Sequence, residues 1–184
     1  VVACAGDGCF PLNGQELAFC VRTAGPARAA VGQEHWQDYR IAAAVLAPKG
    51  AAGVWYGAEA GARVELRVVR GEQAVLSLKD AAGKERVLAE AVLPRLAALT
   101  PPWRRVALFR RGGVTYGCVD GREALRSAEA PAPKGKCGMV AAEGEAYFDD
   151  VRVMDTAALA EGSDVAPGEE GSERCLERYR QRCF

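Results

Sequence analysis

The chain has 184 residues with 24 basic and 24 acidic side chains, a length that fits one domain with tails and a balance that leaves no basic footprint for nucleic acid. Hydrophobic residues make up 49% of it, enough for a sizeable core and too many for a chain disordered throughout. The longest apolar run, Ile41 to Ala47, stops at Pro48-Lys49-Gly50, well short of the ~20 residues a spanning helix needs, so no transmembrane span is expected.

Residues 1–29 form a cysteine-containing N-terminal segment with the first strand, carrying Cys4, Cys9 and Cys20. Its opening Val1-Val2-Ala3-Cys4 resembles a bacterial lipobox, and that resemblance implies a lipid anchor at Cys4, which would also account for an odd thiol count. Without an initiator Met or a charged n-region, the sequence is expected to be a processed chain or an excised segment.

Residues 30–154 show the pattern of a β-sandwich. Trp36 to Ala47 puts Tyr39, Ile41, Ala43 and Val45 on one side of a strand. Gly53 to Ala58 and Ala74 to Lys79 give shorter strands, and Arg63 to Arg70 alternates Val64, Leu66 and Val68 against Arg63, Glu65 and Arg67, one face buried and the other wet. Lys84 to Leu99 fits helical spacing nearly as well as alternation; Pro94 would cut a helix short, so a strand to Leu93 is expected. Trp103 to Val119 predicts a hairpin about Gly112-Gly113, followed by a turn at Asp120-Gly121 and a strand from Glu123 to Ser127. If Phe148, Val151 and Val153 all point inward, the alternation slips at Asp149-Asp150, which predicts a bulge.

Residues 155–171 are an acidic, Gly-rich linker, and Ser172 can cap a short docking helix over residues 172–184. Cys175, Leu176, Tyr179 and Cys183 form its apolar stripe. On a continuous helix Cys175 and Cys183 stand about 12 Å apart, beyond disulfide reach.

The seven cysteines, Cys4, Cys9, Cys20, Cys118, Cys137, Cys175 and Cys183, show no paired metal-ligand spacing, and His35 is the single histidine. They read as disulfide candidates, which points to an extracytoplasmic location: periplasm, cell surface or secreted. The alternative is a cytosolic protein whose thiols are small buried hydrophobes.

The pieces Trp36-Gln-Asp-Tyr39, Gly53-Val-Trp-Tyr56, Trp103-Arg-Arg-Val-Ala-Leu108, Val119-Asp-Gly121, Gly138-Met-Val140 and Phe148-Asp-Asp-Val-Arg-Val153 occur in an order that resembles the concanavalin-like, laminin-G-like jelly roll. More narrowly they are similar to the bacterial 3-keto-disaccharide hydrolase-type module, over about residues 30 to 154. The resemblance implies an all-β, antiparallel jelly-roll sandwich, here with a short C-terminal helix, and a carbohydrate as the first ligand class.

Chemistry is thinner than fold. Concanavalin-like glucanases are expected to carry a Glu-x-Asp-x-x-Glu strand, which is absent here. Glu143 and Glu145 share a face only if both lie in a strand, and Asp149 and Asp150 point apart. Ser77, Ser127, Ser163 and Ser172 lack a nucleophile-elbow setting, and His35 reads as a loop or strand-edge residue. No catalytic or metal residue is assigned and no cofactor is called for; Asp7, Asp120, Asp149 and Asp150 are calcium candidates whose turn roles explain them equally well. Trp55, Tyr56 and Trp103 are the candidate ligand-binding rings, with Trp55 and Tyr56 on opposite strand faces. Arg104, Arg105, Arg110 and Arg111 could draw an acidic glycan or protein patch, or simply guard an edge.

The reading is therefore a non-catalytic binding module. Its alternative is a structural or accessory subunit of a membrane-associated or cell-surface assembly, contacting a protein partner through its tails, and a third reading is a keto-sugar glycoside hydrolase.

Overall fold

The computed structural model describes residues 3–5, 9–10, 19–23, 26–95, 103–142 and 144–156. The expected helix over residues 172–184 with Cys175 and Cys183, the linker beyond Thr156, and Asp7 and Glu143 lie outside the described residues, as do the side chains of Cys4, Cys9 and Cys20. No helix among the described residues is long and apolar enough to cross a membrane.

Among the described residues fourteen strands run in chain order: β1 (Ala3–Ala5), β2 (Cys9–Phe10), β3 (Phe19–Thr23), β4 (Ala27–Val31), β5 (Tyr39–Lys49), β6 (Ala51–Gly57), β7 (Arg63–Val69), β8 (Gln73–Lys79), β9 (Glu85–Val92), β10 (Arg104–Arg111), β11 (Val114–Val119), β12 (Arg122–Ser127), β13 (Cys137–Ala141) and β14 (Gly144–Asp155). They form two seven-stranded sheets, β1-β4-β13-β6-β7-β8-β9 and β12-β11-β10-β5-β14-β3-β2, and every neighbouring pair is antiparallel. The chain crosses between sheets at β1–β2, β3–β4, β4–β5, β5–β6, β9–β10, β12–β13 and β13–β14, the wiring of a jelly roll rather than of stacked meanders. The strands of residues 1–29 are integral to it, because β1 edges one sheet on β4 while β3 joins β14 in the other and carries β2 outside it.

Alternation sets the core. On β5, Tyr39, Ile41, Ala43, Val45 and Ala47 face inward, beside Val106, Leu108 and Phe148 of the same sheet, and Val64, Leu66 and Val68 on β7 meet them from the opposite sheet. Ile41, Val64, Leu66, Leu108 and Phe148 are wholly buried, and each such side chain contributes about 1.5–3 kcal/mol of burial. The β5 strand starts at Tyr39, three residues later than the apolar pattern began: Trp36 sits in a turn closed by its N–H on the Gln33 carbonyl, its ring edge-on to Tyr39 at 6.2 Å. His35 is exposed in that turn.

The punctuation follows the residues. Gly112 and Gly113 take φ of 56° and 82°, and Asp120 and Gly121 take 53° and 75°, the paired positive values of type I′ hairpin turns. Between Asp149 and Arg152 the β14–β5 register gains one residue, with Asp150 at φ 50°, so the expected bulge is present and both Phe148 and Val153 reach the core.

Arg104 departs from expectation. Read as part of an exposed arginine row, it instead follows Val106 and Leu108 inward and is 2% exposed. Its Nε and Nη2 donate to the Gly71 carbonyl at 2.9 and 2.7 Å, Nη2 also to the Pro94 carbonyl at 2.5 Å, and Nη1 to Asp120 at 2.6 Å. It ties β10 to the β7–β8 turn of the facing sheet.

Candidate functional site

The three ring candidates part company. Tyr56 points between the sheets, fully buried, its hydroxyl 2.7 Å from the Thr115 hydroxyl and donating to the Pro131 carbonyl at 3.0 Å. Burial pushes its phenol up to about 12, with the Thr115 hydrogen bond and Arg110 opposing; it presents no surface to a ligand. Trp103 is half-buried at the entry to β10. Trp55 lies on the outer face of the β6–β9 sheet, opposite Tyr56.

How Trp55 lies there is the informative feature. Its indole N–H donates to the carbonyls of Met139 at 3.1 Å and Ala29 at 3.2 Å, which belong to the next two strands, β13 and β4. With strands about 4.8 Å apart, only a ring laid across the sheet reaches both. The cross-strand neighbour beneath it is Gly138, and Gly53 and Gly57 stand two residues away on either side, so no side chain props the ring upright. At Gly138 a Cβ would fall onto the Ala29 carbonyl oxygen; only glycine permits this approach of β13 to β4. The Arg28 guanidinium covers the ring's outer side, 5.9 Å from its centroid, a cation–π contact that leaves Trp55 8% exposed while Arg28 itself is exposed.

Beside Trp55 in the same row stand Glu65 and Ser77, its successive partners on β7 and β8. The alternation of Arg63-Val-Glu-Leu-Arg67 predicts a wet face here, yet Glu65 and Ser77 are wholly buried. The reason is a cover of long basic side chains: Arg63 Nε lies 2.8 Å from Glu65 Oε1, and Lys79 Nζ and Arg67 Nε lie 3.1 and 3.6 Å from Oε2. Arg67 and Lys79 continue to Glu85, the former in a hydrogen bond and the latter at 3.5 Å. Burial pushes the Glu85 carboxyl up, but the Ser77 hydroxyl, Arg67 and Lys79 outweigh it and hold the group below its ordinary value. Arg28, Arg63, Arg67, Lys79 and Glu65 were not picked out from sequence as site residues. The signal was present as charges at every second position of β7 matched by Lys79 and Glu85 across the ladder.

The other outer face, on β5, β10 and β14, holds a shallow groove floored by Ala42, Ala44 and Ala107 and walled by Arg40, Arg105 and Arg152. Asp150, turned out by the bulge, pairs with Arg105 at 3.4 Å and Arg152 at 3.6 Å. The arginines of the β10 hairpin thus scatter: Arg104 is inside, Arg105 pairs with Asp150, Arg110 donates to the Gly113 carbonyl and Arg111 is exposed. Asp120 is engaged by Arg104 and by the Arg105 N–H at 2.9 Å. Among the described residues no three His, Cys, Asp or Glu side chains gather for a metal.

Cys137 is a free thiol in this structure, fully buried in the inter-sheet core, and burial pushes it up to about 12. Cys118 is buried on the outer face of the opposite sheet beside Ala107 and Phe109, so a whole sheet separates the two.

No protein-family model matches the chain, and no curated protein matches it in sequence. Solved structures do match in shape. The carbohydrate-binding module CBM66 from Bacillus subtilis aligns at a TM-score of 0.59 with 11% identity, over 74% of this chain and 86% of that one. A B. subtilis protein of unknown function with a galectin-like fold aligns at 0.62 with 14% identity, over 84% and 89% of the two chains. A Bacillus licheniformis β-glucanase aligns at 0.56 with 11% identity, over 84% and 92%. The chain is an all-β jelly-roll sandwich of the concanavalin-like kind.

Proposed function

We propose that the protein is a non-catalytic carbohydrate-binding module that acts outside the cytoplasm and takes its ligand on the outer face of the β6–β9 sheet. One observation carries this reading: Trp55 lies flat across Gly138, fixed by two hydrogen bonds, with charged and polar side chains beside it. A sugar presents an apolar ring face and a rim of hydroxyls, and a recumbent indole bordered by Arg28, Arg63, Glu65 and Arg67 complements both. A sugar reaches the ring face when Arg28 swings aside, which an exposed side chain lying over the ring is free to do. The carbohydrate-binding module among the structural neighbours supports the ligand class by analogy of fold.

Binding is favoured over hydrolysis by what the carboxylates do. A glycosidase needs one carboxyl that holds a proton for the leaving group and a second across the scissile bond. Glu65 is clasped by Arg63, Arg67 and Lys79, and Glu85 is held in its charged form by Ser77, Arg67 and Lys79. The location outside the cytoplasm rests on the five other cysteines, Cys4, Cys9, Cys20, Cys175 and Cys183, as disulfide candidates, since Cys118 and Cys137 are buried without a disulfide.

The test is a broad glycan array with the wild-type chain and Trp55→Ala, followed by titration calorimetry on any ligand found. The reading expects a saccharide ligand whose affinity drops at least tenfold in Trp55→Ala. A silent array, or a ligand bound equally by a folded Trp55→Ala chain, overturns it.

A further inference from the structure

We propose that the sugar held at Trp55 is acidic, its carboxylate or sulfate received between Arg28 and Arg63. This inference rests on the carbohydrate reading and narrows it to anionic glycans.

Arg28 lies over Trp55 from β4, while Arg63 and Arg67 flank Trp55's row partner Glu65 on β7. Arg28, Arg63, Arg67 and Lys79 thus stand against two carboxylates, Glu65, shared among Arg63, Arg67 and Lys79, and Glu85, shared between Arg67 and Lys79, which leaves the cations in excess. Farther out on β8 and β9, Lys79 is matched by Glu85, and Gln73 donates to Glu90 at 3.1 Å, so the excess positive charge is confined to the Trp55 end of the face.

Among the described residues Arg28 is the group left over. No described carboxylate pairs with it; its contact is the indole face. Its guanidinium is pushed below its ordinary range by burial first and by the charge of Arg63 next, with Glu65 opposing. Two like charges held beside one aromatic ring repel each other until an anion arrives between them, and a planar guanidinium receives carboxylate and sulfate oxygens in a bidentate fashion. A neutral sugar would meet the same indole but leave that repulsion in place. The location also suits the geometry of a sugar acid, whose anionic substituent projects from the rim of a ring whose face rests on the tryptophan.

The closing experiment uses matched probes and the intact chain. Hexagalacturonate is titrated against its carboxyl-reduced counterpart, and a sulfated carrageenan oligosaccharide against its desulfated counterpart, each with wild type and Arg28→Gln over a range of NaCl. The carboxylate and sulfate arms separate the two sources of negative charge. The expected result is that at least one acidic probe binds tenfold or more tightly than its neutral partner. That preference fades with salt and is lost in Arg28→Gln, where the acidic probe binds no more tightly than its neutral partner does to the same variant. Because Arg28 is exposed, the variant's unfolding midpoint should match wild type, and the salt slope of the wild type gives a second readout independent of it. Equal binding of acidic and neutral partners, or a preference that survives Arg28→Gln, overturns the anion site and leaves the carbohydrate reading standing. Failure of all four probes does the same when the broad array finds a neutral ligand; a silent array as well overturns both.

Discussion

The guanidinium of Arg104 grips the Asp120 carboxylate at 2.6 Å from inside the sandwich, while the other oxygen of Asp120 accepts the backbone N–H of Arg105 at 2.9 Å. One turn residue thus closes the β11–β12 hairpin and anchors a buried charge that also holds the Gly71 and Pro94 carbonyls. Replacing Arg104 by Met leaves both carbonyls without that donor, a loss of about 3–5 kcal/mol for breaking a buried pair. Urea unfolding of Arg104→Met and Arg104→Lys is the check. Lys restores only a small part, because a point charge cannot serve three acceptors in a fixed fork. A Met variant within 1 kcal/mol of wild type (about a fivefold change in the folding constant) contradicts the assignment.

Gly138→Ala tests the seat of Trp55. The new methyl group would land on the Ala29 carbonyl oxygen, so β4 and β13 must part, and the indole N–H loses its Ala29 acceptor. The expected cost is about 1–3 kcal/mol, the range for overpacking. The sharper readout is the Trp55 indole proton in NMR, assigned by its disappearance in Trp55→Phe. It exchanges slowly in wild type and quickly in Gly138→Ala.

These contrasts show what the residues alone disclose. The strand alternation of β7 and the turns at Gly112-Gly113 and Asp120-Gly121 were legible, because period and turn chemistry are local. The bulge at Asp149-Asp150 was legible too, since three apolar residues out of phase have no other way into one core. Alternation gives the direction of a side chain and not what lies over it, so Glu65 looked wet although Arg63, Arg67 and Lys79 close around it. The recumbent pose of Trp55 depends on Gly138 and on carbonyls of β13 and β4, strands that adjoin β6 only once the jelly roll is wired. Arg104 was grouped with its charged neighbours because composition outweighed phase, whereas Val106 and Leu108 already set it on the inner face.

Cys137 makes stability sensitive to alkali. Its thiol is pushed up to about 12 in the folded chain by burial, against about 8.5 for an exposed thiol. The folded state therefore keeps a proton that the unfolded state gives up. Its contribution is fully present below about pH 8.5 and is lost as pH rises toward 12, with a slope approaching ~1.4 kcal/mol per pH unit. Urea midpoints between pH 7.5 and 10.5 should fall faster in wild type than in Cys137→Ala; parallel curves contradict the burial. Peptide mapping after iodoacetamide gives the companion result: Cys137 is unlabelled in the native chain and labelled once unfolded.

The ionic network that joins Glu65 to Glu85 is tested by substitution at the first and by acid at the second. Glu65→Gln leaves Arg63, Arg67 and Lys79 sharing a neutral amide in a buried position, and the expected loss is about 3–5 kcal/mol at pH 7. Glu85 gives the pH signature. Ser77, Arg67 and Lys79 outweigh the effect of burial and hold its carboxyl below the ordinary 4.5. The unfolded chain consequently takes up the proton first as pH falls, so the stabilisation from Glu85 is complete above about pH 4.5 and drains away below it. Wild type should exceed Glu85→Gln in urea midpoint by a constant margin from pH 7 down to about 5, and the two curves should converge as the pH approaches 3. A margin undiminished at pH 3 would mean that Glu85 acts through the shape of its side chain, and the ionic link from β7 through Lys79 to β9 would have to be abandoned.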